Sequence, residues 1–199
     1  MTQMPSIQDL KKARQVFETN EPRDLFYRAA IDLVALSLEG KTSLSVAESL
    51  AVLLQTWNKM FYQYRKFDNQ HFVDIERLIS DYYSALMRYR QRSIVSFNQA
   101  DEEQIIPIFR DFEAVLGPVG AAKCLHLLAP LFFPLWDRAI AKAYGCRLQK
   151  QGKNAEIYCR FMRIVKEQVE HLGGHGAVGR NPLKALDEYN YCKFTKRWI

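Results

Sequence analysis

Hydrophobic residues recur three and four positions apart along most of this 199-residue chain, and no run alternates cleanly between polar and apolar residues. A spacing of three and four places side chains on one face of an α-helix, whereas alternation is typical of a β-strand. One such helical face consists of Leu50, Leu53, Leu54, Trp57, Phe61 and Tyr64. The sequence therefore predicts an all-α fold.

Short signals for helix ends separate these faces. Ser45-Val-Ala-Glu48 is a capping box, in which the serine accepts from a free backbone amide and the glutamate reaches back. Asn181-Pro182 combines an N-cap residue with proline at the first helical position. No long linker and no internal repeat interrupts the chain, so we expect residues 1–199 to form a single helical domain with two lobes.

The composition is that of an ordinary globular protein, with 48% hydrophobic and 25% charged residues. The longest apolar run, Leu125–Trp136, is too short to span a bilayer. The first residues lack the apolar core of a signal peptide. We therefore expect no membrane association and a cytoplasmic location. The four cysteines are widely spaced, which predicts reduced thiols that pack as small hydrophobic residues.

Positive charge is concentrated in the last third of the chain. Of the net charge of +6, residues 138–199 contribute +8, from 13 Lys and Arg against 5 Asp and Glu. Such an asymmetry is typical of a face that binds a polyanion. The charge distribution therefore suits a polyanion such as nucleic acid, although many basic surfaces only keep a protein soluble.

Two segments interleave aromatic and basic residues, at Trp57–Phe67 and Tyr82–Arg92. The pattern suits bases stacked on aromatic rings beside neutralised phosphates. At helical spacing, aromatic core residues and solvated cations are the favoured interpretation for most of these residues. The arginines predicted here to contact DNA are Arg88, Arg90 and Arg92.

His171 and His175 stand four residues apart, a spacing that metal ligands use on a helix. The glycines between them favour a helix end, and no carboxylate or cysteine stands at a supporting distance. The sequence therefore predicts no metal site.

The stretch Leu116–Tyr144 carries the most specific signal. A helix is expected to end at Leu116, to turn through Gly117-Pro-Val-Gly120, and to be followed at once by a second helix. Free amides at such a helix start form a natural phosphate site. After a loop rich in Phe and Pro, Asp137 stands near the start of another helix, where a lone acid is usually an N-cap.

This order resembles the helix–hairpin–helix superfamily of DNA glycosylases, with the motif at about 105–129 and the wider match at 105–145. The superfamily hairpin, approximately L-P-G-hydrophobic-G-x-x-x-A, precedes an essential aspartate by about twenty residues. With Gly117 as its second glycine, Ala121 takes the alanine position and Asp137 the aspartate position. Asp137-Arg-Ala-Ile140 is also similar to a D-R-hydrophobic-I run of some 8-oxoguanine glycosylases.

The resemblance implies base excision: a flipped nucleotide enters a pocket and Asp137 stabilises the cationic transition state. It implies double-stranded DNA as the partner, with contacts by Gly117, Val119, Gly120, Ala121 and Arg138. It implies a base pocket drawn from Trp136, Trp57, Tyr62 and His126, although core packing is the simpler interpretation of Trp57 and His126. A monovalent cation on the hairpin carbonyls is implied as well, and no other cofactor is expected.

Lys123 is the nearest lysine to the hairpin and the candidate nucleophile for strand cleavage. Lys123 stands further along the chain than the nucleophilic lysine of the family. We therefore expect that it does not reach the pocket and that the enzyme is monofunctional. Two alternatives stay open. Val115 and Pro118 depart from the hairpin pattern, which favours a non-catalytic DNA-binding module. The generic composition also allows a helical protein-interaction domain.

Overall fold

A computed structural model of the chain describes residues 4–174 and 176–199, which form α-helices and no strand. The helices are α1 (Ile7–Asn20), α2 (Asp24–Leu38), α3 (Val46–Trp57), α4 (Lys59–Tyr62), α5 (Asn69–Arg90), α6 (Gln99–Leu128), α7 (Arg138–Ala143), α8 (Ala155–His171) and α9 (Pro182–Asn190). A 3₁₀ turn at Ile94–Ser96 and a π-helical turn at Tyr191–Thr195 complete them. The all-α prediction is confirmed.

The helix starts expected from the sequence are present with their caps. Glu48 N donates to Ser45 Oγ at 3.1 Å, and Ser45 N donates to Glu48 Oε2 at 2.6 Å, which forms the capping box. Asn181 Oδ1 accepts from Leu183 N at 2.9 Å. Each such cap stabilises its helix by about 1 kcal/mol.

Most of the buried hydrophobic side chains of the described residues belong to one connected cluster. The long helix α6 lies against α5 and α8, and α2 packs along α3. Helix α1 packs against α9, so the two ends of the chain meet. All four cysteines are buried and free. The division into two lobes stays a prediction.

Helix α6 contains a break at the position where the sequence predicts a hairpin. Gly117 has φ 69° and ψ 166°, a backbone conformation that favours glycine, and Pro118 starts the next helical turn. A Cβ on Gly117 would lie 3.2 Å from the ring of Phe61. The break is one residue long, whereas a helix–helix hairpin commonly has two to five. Helices flank the break as expected, and the hairpin itself stays a prediction.

Among the described helices, none is both long and apolar enough to cross a membrane.

Candidate functional site

A small cavity lies where the end of α1 meets α6, α9 and the start of α7. Its walls include Lys123, Asp137, Trp57 and Trp136. The cavity measures about 50 Å³, which is room for a few water molecules. All four are sequence candidates for catalysis or the base pocket: three belong to Leu116–Tyr144, and the fold brings Trp57 from an earlier segment to the same cavity.

Asp137 is the N-cap of α7, as a lone acid in this position usually is. Its Oδ1 accepts from Ile140 N at 2.8 Å. Its Oδ2 accepts from the hydroxyl of Thr195 at 2.6 Å. The carboxylate is partly buried and lines the cavity. A carboxylate offers about four lone-pair sites, so these two hydrogen bonds leave it able to accept from a ligand.

Lys123 lies on the second half of α6 and lines the same cavity as Asp137. Its Nζ donates to the carbonyl of Trp57 at 2.6 Å and lies 4.8 Å from the centre of the Trp57 ring. Burial lowers the pKa of Lys123 to about 8, against the opposing charges of Asp187 and Asp137. Lys123 therefore lies on the wall of this cavity, and whether it reaches a base pocket stays a prediction.

The two tryptophans of the cavity have different surroundings. Trp136 is 1% exposed and packs among Phe109, Tyr158 and Phe161, while its Nε1 donates to the carbonyl of Pro118 at 3.0 Å. This hydrogen bond ties the loop before α7 to the break in α6. Trp57 is partly buried and lies 5.5 Å from the ring of Tyr27. Trp136 is thus a core residue with one edge on the cavity, and Trp57 is the more accessible wall.

Asp187 is a cavity residue that sequence reasoning missed. It lies on α9, is buried, and faces the cavity beside Lys123 and Asp137. On the same helix, Lys184 Nζ lies 3.7 Å from Asp187 Oδ2 and 2.9 Å from Asp24 Oδ1. The sequence shows Lys184 and Asp187 at a helical spacing that suits a solvated face, so no local signal marked them as buried.

On the side of α1, the carboxylate of Glu21 lines the cavity. The Arg23 guanidinium donates to both oxygens of Glu21, at 2.8 and 2.9 Å, and lowers the pKa of Glu21 to about 2. Tyr191 donates its hydroxyl to Glu21 Oε2 at 2.5 Å. This network joins the end of α1 to the π-helical turn near the C-terminus.

The predicted hairpin residues lie at the start of the second half of α6. Gly120 and Ala121 are buried, and Gly117 and Val119 are partly buried. A Cβ on Gly120 would lie 2.7 Å from Asn58 Nδ2, so this glycine allows the segment after α3 to approach closely. The protein itself therefore covers the amides of Gly120 and Ala121. The phosphate and cation contacts at this turn stay predictions.

The four arginines predicted to bind DNA divide into two pairs. Arg92 donates to both oxygens of Asp101, at 2.6 and 2.8 Å, and Arg90 donates to the carbonyl of Leu128 at 2.8 Å. These two arginines, the last residue of α5 and a residue just after it, are bonded to α6. Arg88 and Arg138 are exposed. They remain the candidates for phosphate contacts.

Tyr62 and His126 do not line the cavity. His126 is fully buried in α6, where Nδ1 lies 2.8 Å from the carbonyl oxygen of Phe133 and Nε2 lies 3.0 Å from the Tyr27 hydroxyl. The hydroxyl oxygen of Tyr62 lies 2.9 Å from His71 Nε2. The structure gives both candidates a packing role and does not bring them to the site.

No group of three or more His, Cys, Asp or Glu side chains within residues 4–174 and 176–199 could hold a metal ion. His175, one of the two histidines at metal-ligand spacing, lies outside the described residues.

Comparison with known proteins gives no relative: no family model, no curated protein and no solved structure matches the chain significantly. The resemblance to helix–hairpin–helix glycosylases therefore depends on Leu116–Tyr144 alone.

Proposed function

We propose that this protein binds double-stranded DNA and excises a base in the cavity lined by Lys123 and Asp137. The observation that carries the proposal is that Trp57, Lys123, Trp136 and Asp137 line one cavity. A reactive amine, a carboxylate and aromatic walls are the groups that cleavage of a glycosidic bond uses.

Asp137 is suited to stabilise a cationic sugar. Breaking the bond between C1′ and the base builds positive charge on the sugar ring. A fixed carboxylate in a partly dry site stabilises such charge by several kcal/mol. Ile140 and Thr195 fix the carboxylate from two sides, so it needs no rearrangement when the charge develops.

Lys123 is suited to attack the sugar. With a pKa of about 8, about a tenth of its side chains are neutral amines at pH 7. A neutral amine next to C1′ can form a Schiff base with the opened sugar. The position of Lys123 in the cavity supports a bifunctional enzyme, in contrast to the monofunctional one predicted from the sequence.

DNA binding is supported by charge rather than by the hairpin. Residues 138–199 contribute a net +8, and Arg138 stands exposed next to Asp137 at the start of α7. A nucleobase is larger than the few water molecules that the cavity holds, so base entry requires its walls to move.

A non-catalytic DNA-binding module is the second candidate. Both oxygens of Asp137 take part in structural hydrogen bonds, as they would in a residue kept only as an N-cap. Such a module would bind duplex DNA and leave every base in place.

Duplexes that each carry one damaged base test the proposal, when they are incubated with the protein and heated in alkali to reveal abasic sites. We expect cleavage of at least one substrate, and a loss of about 10²-fold or more in Asp137→Asn. Asparagine caps a helix as well as aspartate does, so this variant removes the charge and keeps the fold. Asp68→Asn is the matched control, because Asp68 caps α5 through His71 N at 3.0 Å and does not line the cavity.

The three functional candidates give different results. Binding without abasic sites on any duplex would leave the non-catalytic module. Absence of binding at low salt would leave the protein-interaction domain. Equal excision by the wild-type protein and Asp137→Asn would move the chemistry away from this cavity.

A further inference from the structure

Asp187 is one of four carboxylates that line the cavity, with Glu21, Asp24 and Asp137, and the excision chemistry above gives it no role. We infer that Asp187 is the proton carrier of this cavity: it exchanges a proton with Lys123 and supplies the proton that the departing base takes. The inference rests on the proposed function, which its test can nevertheless separate from it.

Asp187 lines the cavity together with Lys123, although 64 positions separate the two residues in the sequence. Its nearest ion-pair partner among the described residues, Lys184 Nζ, lies 3.7 Å from Oδ2, which is longer than a charge-assisted hydrogen bond. Lys184 lies closer to Asp24, at 2.9 Å. The pair with Lys184 is therefore too long to lock the carboxylate of Asp187 into its charged form.

The carboxylates of Asp187 and Asp137 have different surroundings. One oxygen of Asp137 accepts from a backbone amide and the other from Thr195, so both are held by donors. Asp187 is buried, and the cavity that it lines has apolar and aromatic walls that include Trp57 and Ile140. Two carboxylates with such different surroundings divide the tasks of a site, one as a fixed charge and the other as an acid or base.

The Asp187 carboxylate can be protonated near neutral pH. Burial raises the pKa of Asp187 to about 6, and the charges of Glu188 and Asp137 act in the same direction. Lys184 and Lys123 act in the opposite direction. The other charged or titratable groups on the cavity walls are Glu21, Asp24 and Tyr191. Asp187 can thus hold and release a proton in the range where Lys123 also exists partly as the neutral amine.

The protons balance in this scheme. Through water, for which the cavity has room, the Lys123 ammonium first gives a proton to the Asp187 carboxylate, which produces an amine and a carboxylic acid. The amine then bonds to C1′, the bond from C1′ to the base breaks, and its electron pair leaves with the base. Asp187 donates its proton to the base nitrogen that received the pair. The new C1′–N bond leaves a protonated nitrogen, and its surplus proton returns to Asp187. As the Schiff base forms, the nitrogen lone pair makes the C1′=N bond, the bond from C1′ to the ring oxygen O4′ breaks, and O4′ takes the proton from Asp187.

Asp187→Asn tests the inference through two readouts. One is the pH profile of base excision between pH 5 and 9. The other is the rate at which Lys123 is methylated by formaldehyde and cyanoborohydride, followed by mass spectrometry of its peptide. The matched control is Glu113→Gln, which changes a fully buried carboxylate that pairs with Asn154 and does not line the cavity. Asp187→Glu, which keeps the acid, serves as the rescue variant.

We expect Asp187→Asn to lose about 10²-fold in excision at pH 7, the usual contribution of a general acid. Methylation of Lys123 should rise several-fold, because the negative charge that raises the pKa of Lys123 is gone. A purely structural role would not raise the reactivity of one residue while lowering excision. Asp187→Glu should recover part of the excision, and Glu113→Gln should behave as the wild type in both readouts.

Two results would overturn the inference. One is an unchanged methylation profile of Lys123 in Asp187→Asn, and the other is equal loss of excision in Asp187→Asn and Glu113→Gln. Absence of excision in the wild-type protein would instead overturn the proposed function, and the methylation readout would still decide whether Asp187 and Lys123 are coupled.

Discussion

The hydroxyl of Thr195 donates to Asp137 Oδ2 at 2.6 Å, across 58 positions of the sequence. Thr195 ends the π-helical turn that follows α9, and Asp137 begins α7. The last residues of the chain thus fix the carboxylate that the proposed chemistry needs. In the same turn, Tyr191 bonds to Glu21 at the end of α1. The π-helical turn therefore contacts both the Asp137 carboxylate in the cavity and Glu21 at the end of α1.

Thr195→Val removes this hydroxyl and keeps the shape of the side chain. We expect kcat for excision to fall about 10-fold because Asp137 loses one of its two fixed donors, and the free energy of unfolding to fall by about 1 kcal/mol. The Kd for DNA should stay the same. The control is Thr56→Val, whose hydroxyl bonds within α3 to Val52 O at 2.8 Å. A kcat equal to that of the wild type would show that Thr195 does not position Asp137.

Borohydride trapping on a lesion-bearing duplex tests the amine of Lys123. We expect a covalent protein–DNA adduct in the wild type and none in Lys123→Met, because only a primary amine forms the reducible Schiff base. Lys166→Met is the matched control: Lys166 also donates to a backbone carbonyl, that of Phe97 at 2.9 Å, and does not line the cavity. Excision without any adduct would restore the monofunctional mechanism that the sequence predicted.

The helices could be predicted from the sequence because their signals are local. The spacing of Leu50 and its partners defines a helical face, and the Ser45 and Asn181 caps lie within four residues of the amides that they bind. Asp137 could be predicted as an N-cap from its place before α7, whereas its role as a site residue stays a prediction. These predictions depend on distances along the chain that a helix fixes.

The buried charges could not be predicted in the same way. Lys184 and Asp187 have the composition of a solvated helix face, and they are buried because α1 and the cavity walls cover α9. Arg92 has the composition of a phosphate ligand, but the fold brings it to Asp101. Whether such a residue is exposed to solvent or paired inside the protein depends on how distant helices pack. The spacing of residues along the sequence does not contain this information.

The division of the arginines leads to a test of DNA binding. Arg88→Ala and Arg138→Ala should each lower the slope of log Kd against log salt by about one, because each exposed guanidinium neutralises one phosphate. Arg92→Ala should leave the slope unchanged and lower the free energy of unfolding by about 2 kcal/mol, because a two-point hydrogen bond to a carboxylate is lost. Fluorescence anisotropy at several salt concentrations and urea denaturation measure the two effects. A salt slope that falls in Arg92→Ala as well would mean that its pair with Asp101 opens on DNA.

His126 leads to a prediction about acid sensitivity. Burial lowers the pKa of His126 from its ordinary value of 6.5 to about 4 in the folded protein. The unfolded chain therefore binds a proton between pH 6.5 and 4 that the folded protein does not bind. Folding stability must fall as the pH is lowered through this window, by about 3 kcal/mol in total.

Urea denaturation between pH 7 and 4 measures this loss. His126→Gln should be less stable at pH 7, because it disturbs the contacts with Tyr27 and Phe133, but its stability should vary less with pH. His171→Gln, at an exposed position, should keep the slope of the wild type. Asp187 acts in the opposite direction: its pKa is raised by folding, so the folded protein gains stability as the pH falls from about 6 to 4. Asp187→Asn should consequently steepen the loss on acidification, and a steeper loss in His126→Gln would show that the buried imidazole is not the acid-sensitive group.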